Sequence, residues 1–297
     1  MADDAAQGAA PAGADQSAGK FESDTAVRRM SVEDSVATFS AEVSPDWRAG
    51  RGPHGGYLAA MLTRALMEHV ADPQRAPRSL TVHYARAPEP GPAQIVTRIE
   101  RVGRSLTTLS ARMEQDGRPI ALVLSAFSVP WAGPEFSELE MPAVRPPDPE
   151  RRPGPLEHGG PPFTEHLVMQ HRIGELPTKG SVPMLIGAWV GLAEQRPVDP
   201  PLLAFLSDAL IPAPFLHTRQ FAPAPTVDLT VHFRAATPRG EAQARSEDPA
   251  EELCLVQMRT KVIQEGFFEE DGTIWASDGT LLAQSRQLAI LMPSPSS

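Results

Sequence analysis

A four-residue phrase occurs twice in this chain, and it constrains the fold more than any other feature. Thr81-Val82-His83-Tyr84 returns as Thr230-Val231-His232-Phe233. Four residues alone repeat by chance, but the surroundings repeat as well, in the same order. Upstream of the first copy, Gly55 to Val70 sets Leu58, Met61, Leu62, Ala65 and Leu66 at three- and four-residue spacing, the period of one helix face. Upstream of the second, Leu202 to Phe215 is apolar and helix-like and is stopped by Pro212 and Pro214. Strand-like segments follow each copy: Gln94–Val102, Ser105–Glu114 and Ile120–Val129 in the first half, Leu253–Gln264, Phe267–Ala276 and Leu281–Leu291 in the second. The last segment of each set is preceded by Asp-Gly, at Asp116-Gly117 and Asp278-Gly279. Asp-Gly between alternating strands predicts a tight hairpin with both central residues at positive φ. Matching the two turns sets Ile120-Ala121 over Leu282-Ala283, and Ser125 over Gln287.

Each half therefore reads as one long helix followed by antiparallel strands, an α+β layout. With the helix first and hairpins after it, a curved antiparallel sheet wraps the helix, which is the hotdog arrangement. Two such units in tandem are expected to pack as a pseudo-dimer, a tandem double hotdog. The expected divisions are a disordered tail over 1–20, an N-terminal hotdog over 21–130, a proline-rich linker over 131–162 and a C-terminal hotdog over 163–293. The second copy carries extra residues near Pro238–Pro249, an expected exposed loop.

Composition removes several classes of function. The formal charge of -10 argues against nucleic acid or an anionic membrane as partner, because both need a cationic surface. Cys254 is the one cysteine, so no internal disulfide forms, and a reducing, cytoplasmic setting is expected. No apolar run is long enough to span a bilayer, and residues 1–20 lack the basic start and apolar stretch of a secretory signal, so none is expected there. Paired cysteines and H-E-x-x-H are missing, so no metal is expected. Gly50-Arg51-Gly52-Pro53-His54-Gly55 matches G-x-G-x-x-G, but hairpins follow it instead of a βαβ unit, and Pro53 removes a backbone donor. No nucleotide cofactor is expected. The milder reading is a glycine-rich helix start whose bare N–H groups meet an anionic or carbonyl oxygen. The G-x-S-x-G elbow of serine hydrolases is also missing.

Polar residues gather in the second half. Asp208 interrupts the apolar run from Leu202 to Leu210. A carboxylate there is either paired, because burying a bare charge is costly, or a cap or solvent-facing helix position. Thr226 opens the strand Thr226-Val227-Asp228-Leu229-Thr230, and Gln287 lies in the last strand. His83 and His232 hold equivalent places in the repeat, and a structural role on one strand face is expected for both.

Three segments together resemble the C-terminal half of double-hotdog acyl-CoA thioesterases of the thioesterase II type. They are Leu206-Ser207-Asp208-Ala209, Pro225 to Phe233, and Leu282-Ala283-Gln284-Ser285-Arg286-Gln287. Arg51-Gly52-Pro53-His54-Gly55-Gly56-Tyr57 resembles the start of that family's N-terminal hotdog helix. The resemblance runs from about Phe21 to Met292. It implies a catalytic set of Asp208, Thr226 and Gln287, all from the second repeat. It also implies an acyl-CoA substrate met by Arg51, Gly55 and Gly56. Two departures bear on substrate: Ala209-Leu210-Ile211-Pro212 follows the aspartate, and Leu229-Thr230 stands where His-Ser or His-Ala often follows the strand aspartate.

Thioester hydrolysis needs a positioned water, a proton acceptor and a donor for the developing oxyanion. Asp208 would take the water's proton, Thr226 and Gln287 would hold the water in line, and backbone N–H groups at a helix start would meet the oxyanion. Arg48, Arg51, Arg234 and Arg286 are candidates for the CoA phosphates. A non-catalytic acyl-CoA or lipid-binding hotdog module is the alternative, and the Asp, Thr, Gln set tilts against it. A hotdog hydratase would carry an Asp-x-Asn-Pro-x-His-like segment, which is missing. Pairing of whole units into a homo-oligomer is compatible with the fold.

Overall fold

The computed structural model of the protein describes residues 19–148, 160–174, 183–218, 222–235 and 252–293. The first half holds α1 (Lys20–Asp24), β1 (Val27–Glu33), β2 (Val36–Val43), β3 (Arg48–Ala49), β4 (Gly52–Pro53), α2 (Gly55–Val70), β5 (Ala76–Tyr84), β6 (Gly91–Val102), β7 (Leu106–Gln115) and β8 (Arg118–Ser128). The second holds β9 (Leu167–Ile173), β10 (Met184–Leu192), α3 (Pro200–Leu206), α4 (Phe215–Thr218), β11 (Thr226–Phe233), β12 (Cys254–Thr260), β13 (Ile263–Gln264), β14 (Phe267–Trp275) and β15 (Leu281–Ile290).

Among the described residues these strands form one large antiparallel sheet in the order β1-β2-β6-β7-β8-β5-β11-β15-β14-β12-β10-β9, with β13 against β14. β3 and β4 stand apart as a short ribbon. The order reads as two mirror halves meeting at β5 and β11. The register there carries the sequence repeat: Thr81 pairs with Thr230, Val82 with Leu229 and Leu80 with Val231. Thr81 and Thr230, the same letter of the repeated phrase, sit on the pseudo-dyad with hydroxyls 3.1 Å apart. Within each half the pairing also repeats. β5 sets Tyr84 against Ala121 and Leu80 against Ser125, and β11 sets Phe233 against Ala283 and Leu229 against Gln287. The two copies are one double hotdog.

α2 spans the residues its apolar spacing predicts, and Ala71 closes it in the left-handed region at φ 48°. Leu58, Met61, Leu62, Ala65 and Leu66 are buried in a core that runs through both halves. The second helix is shorter than its sequence suggests. α3 has seven residues, capped by Asp199, whose Oδ1 accepts from Leu202 N at 2.9 Å. It tightens at its end: Asp208 N and Ala209 N donate three residues back, to Phe205 O and Leu206 O. Pro212 disfavours helix at the residue before it, and the chain turns away.

Two further expectations need correction. Asp116 and Gly117 have φ 53° and 69°, as a two-residue hairpin requires, but at the second Asp-Gly only Gly279 is positive, at 89°. There Gly279 N donates to Ala276 O and Ala276 N to Thr280 O, so the loop is longer and needs one left-handed residue. The β13–β14 turn, Glu265-Gly266, carries the paired positive values, 53° and 79°. At the N-terminus Lys20 opens α1, while residues 1–18 of the expected tail lie outside the described residues. So does the loop expected near 238–249, and so do residues 149–159 of the linker. Linker residues Met141 and Val144 pack on Val168, Trp189, Leu253, Leu255 and Trp275.

Candidate active site

The glycine-rich motif divides into two structures. Gly50, at φ 73°, turns the β3–β4 ribbon, whose pairs are Arg48 with Pro53 and Ala49 with Gly52. Arg51 is exposed at the ribbon's tip. Helix α2 starts afterwards, with His54 as its N-cap: Nδ1 accepts from Tyr57 N at 3.2 Å. A ring nitrogen that accepts carries no proton, so His54 is assigned the Nε2–H tautomer. That N–H donates to the Asp208 carbonyl at 2.7 Å and lies 3.5 Å from Asp208 Oδ2. The ring is 3 % exposed and packs, tilted, against Phe163, at 4.2 Å between centroids, and Phe205, at 5.0 Å.

Asp208 follows the C-terminus of α3 and points at the N-terminus of α2. Gly56 N donates to its Oδ2 at 3.0 Å. Backbone N–H groups of a helix's first turn lack intrahelical acceptors, and the helix dipole favours an anion there. The run is apolar around Asp208 because it sits where two helices meet, and the carboxylate is tolerated because the other repeat's helix receives it. Gly56 is the point of closest approach: a Cβ there would lie 3.0 Å from Phe205 Cα and closer still to the Phe205 carbonyl oxygen. The Gly56 N–H, expected to be bare for a ligand oxygen, is thus committed to Asp208. Among the described residues the Gly55 N–H is the helix-start donor that keeps no partner. The Gly55 carbonyl accepts the Tyr84 hydroxyl at 2.8 Å. Burial, and next the Asp208 charge, hold that phenol well above its usual range.

Thr226 and Gln287 meet directly. Thr226 Oγ1 donates to Gln287 Oε1 at 2.9 Å. The pairing of β11 with β15 shifts register between Thr226 and Asp228, a bulge that re-aims the strand's first side chain. Gln287 Nε2 donates to Glu270 Oε2 at 2.7 Å, and Glu270 Oε1 accepts from Ala213 N at 2.7 Å. Glu270 stands opposite Gln287 across β14 and β15, 2 % exposed. Burial pushes its carboxyl up to about 7, against the two hydrogen bonds and with a smaller contribution from the Asp208 charge. Asp208 makes no direct bond to Thr226 or Gln287 among the described residues; the Ala209–Ala213 segment and Glu270 connect them.

Sequence reasoning missed Glu270, His54 and Tyr84. A signal for Glu270 was available: it shares strand parity with Phe268 and Ile274, which face inward. Of the four arginine candidates, Arg286 is held by Asp271 at 2.6 and 2.8 Å and Arg234 donates to Gln284. Arg48 and Arg51 stay exposed beside the α2 start. His83 and His232 are exposed on their strands. The described residues contain no group of three or more His, Cys, Asp or Glu placed to hold a metal, and no helix long and apolar enough to cross a membrane.

The tandem double hotdog, with Asp208 held at the α2 start and Thr226 bonded to Gln287, is the frame on which the chain compares with known proteins. Residues 43–128 match the acyl-CoA thioesterase N-terminal domain and residues 141–291 the acyl-CoA thioesterase C-terminal domain, so this chain belongs to the acyl-CoA thioesterase family. An uncharacterized protein of Mycobacterium tuberculosis is 25% identical over 284 residues, covering 85% of this chain and 90% of its own. A hot dog fold protein of unknown function from Alicyclobacillus acidocaldarius is similar at TM-score 0.77 and 25% identity, covering 94% of this chain and 100% of that one. Acyl-CoA thioesterase II of Mycobacterium marinum shares the fold at TM-score 0.69 and 20% identity, over 93% and 99% of the two chains.

Proposed function

We propose that this protein hydrolyses acyl-CoA thioesters with a water activated by Asp208. Two observations support the reading: the direction of the Thr226–Gln287 hydrogen bond, and the Asp208 carboxylate held at the α2 start. Thr226 gives its one hydroxyl hydrogen to Gln287, so toward a water it can only accept. Asp208 also accepts. A water that donates one hydrogen to each keeps a lone pair for the thioester carbonyl carbon. Asp208 takes one proton as the C–O bond forms. The Gly55 N–H is the donor for the oxyanion. Collapse of the tetrahedral intermediate breaks the C–S bond, and the thiolate leaves with the proton Asp208 took. The products are a free acid and CoA, with no covalent enzyme intermediate. Arg51 is the cation nearest in sequence to this helix start and is proposed for the anionic end of CoA.

Free-thiol release from a chain-length series of acyl-CoAs tests the reading. Asp208→Ala is expected to lose turnover by at least about a hundredfold, the ordinary worth of a general base. Wild-type turnover in that variant removes Asp208 from the role. Tight acyl-CoA binding without thiol release, by the unmodified protein, would favour the non-catalytic binding module.

A further inference from the structure

We propose that Glu270 is a positioning residue whose ionisation sets the direction of the Gln287–Thr226 hydrogen-bond relay and so switches the site on. The inference rests on the hydrolytic reading above.

The pseudo-dyad supplies the first argument. The second repeat sets Thr226, Glu270 and Gln287 where the first sets Pro77, Leu109 and Ser125, by the same register and the same bulge. Leu109 is fully buried and shows that the fold accepts an apolar residue at this point of the sheet. A carboxylate at its counterpart is therefore not required by the architecture, and burying one is costly unless something is gained. Its partners show what. No arginine, lysine or histidine forms an ion pair with Glu270 among the described residues. Both of its oxygens instead accept N–H groups, one from the Ala213 backbone and one from the Gln287 amide.

The Gln287 amide has two orientations, and Glu270 chooses between them. An ionised carboxylate can only accept, so it faces the NH₂ group. The amide oxygen then faces Thr226 and takes its hydroxyl hydrogen. Oε1 of Glu270 is engaged by Ala213, so an added proton goes to Oε2. There it meets the Gln287 NH₂, donor against donor, and the amide must turn over. Its NH₂ now faces Thr226, whose hydroxyl hydrogen is released toward the water. The water becomes an acceptor at Thr226 and its attacking lone pair is occupied. One proton at Glu270 reverses the relay without moving a strand.

The groups acting on this proton are few. Asp208 at the end of α3 and Glu269 on the same strand both add negative charge and favour protonation, while the Ala213 and Gln287 N–H groups oppose it. Burial lifts the carboxyl to about 7, so the relay reverses across neutral pH. Turnover is expected to rise with pH through that point, and KM to stay nearly level because Glu270 does not touch the ligand.

Glu270→Gln keeps the shape and fixes the reversed polarity, because its own NH₂ confronts Gln287 at every pH. Its kcat is expected to fall on the order of tenfold or more, the cost of one misdirected charge-assisted hydrogen bond. Its kcat profile is expected to lose the rise near pH 7. Glu270→Leu, the first repeat's own residue, is expected to fold and to show the same loss. The Gln287 side-chain amide is followed in parallel by ¹⁵N NMR, assigned through its disappearance in Gln287→Ala. Its signal is expected to titrate near pH 7 in the wild type and to be pH-independent in Glu270→Gln. Wild-type kcat and pH profile in Glu270→Gln would overturn the lock and leave hydrolysis standing. Absence of any acyl-CoA turnover in the wild type would overturn the hydrolytic reading, and the NMR titration would still decide the lock. A wild-type Gln287 signal that ignores pH overturns it.

Discussion

Replacing Gly56 by alanine sets two opposite effects against each other, and the helix crossing decides the sign. Gly56 is the second residue of α2, and alanine favours a helix over glycine by about 1 kcal/mol. Propensity alone therefore predicts a more stable protein. The added Cβ, however, would lie 3.0 Å from Phe205 Cα and 2.9 Å from His54 Cε1, with the Phe205 carbonyl oxygen closer still. Carbon atoms rest at roughly 3.5–4.0 Å, so the shortfall is about half an ångström or more. Most of it is against backbone, which no rotamer change relieves. Overpacking of this kind costs about 1–3 kcal/mol. Separating the helices also stretches the Gly56 N–H bond to Asp208, and a hydrogen bond to a charged group contributes about 1.5–3 kcal/mol. The net is a loss of about 2–4 kcal/mol against the propensity gain. At roughly 2–4 °C per kcal/mol, the melting temperature should fall on the order of 10 °C. Thermal unfolding followed by circular dichroism measures it, and thiol release should fall with it because Asp208 loses its tether. A Gly56→Ala variant melting at or above the wild-type temperature would refute the crossing geometry and the coupling of α2 to Asp208.

Two further outcomes follow from the same cluster. In Glu270→Leu, stability should depend on pH differently from the wild type. The carboxyl rises from 4.5 to about 7 on burial, so the folded state holds a proton the unfolded chain has released. That contribution is complete below about pH 4.5 and lost as pH rises through 7, a total of about 3 kcal/mol. The leucine variant lacks this loss, so its advantage in urea midpoint should grow from pH 5 to pH 8; a constant difference would contradict a buried titrating Glu270. Thr226→Val leaves the Gln287 carbonyl without its donor and removes the water's acceptor, so kcat should drop on the order of tenfold or more while Thr226→Ser retains most of it. Equal turnover in Val and Ser variants would remove the hydroxyl from the relay.

Much of the architecture was legible because it is written locally. The i, i+3, i+4 spacing from Leu58 to Leu66 defines a helix face without reference to the rest of the chain, and the observed helix keeps those bounds. The two phrases at Thr81 and Thr230 revealed the duplication, and the structure sets them side by side at the seam, antiparallel, with only Thr81 and Thr230 as like facing like. Asp208 stood out as a carboxylate in an apolar run, whereas Thr226 and Gln287 were singled out by the family resemblance. The parity that turns Glu270 inward was also present, inside the acidic run Glu269-Glu270-Asp271.

What the chain could not state is who meets whom. Asp208 comes to the α2 start 152 residues away in sequence, because two helices cross where Gly56 permits backbone contact. The first repeat thereby supplies His54, Gly56 and Tyr84 around that carboxylate. The second helix stops at Leu206, ahead of Pro212, which leaves Asp208 just beyond its end and facing the α2 start. Patterning follows the hydrophobic effect, which is non-directional and readable from sequence. Hydrogen bonds are directional, and their partners are chosen only when the tertiary fold has set donor against acceptor.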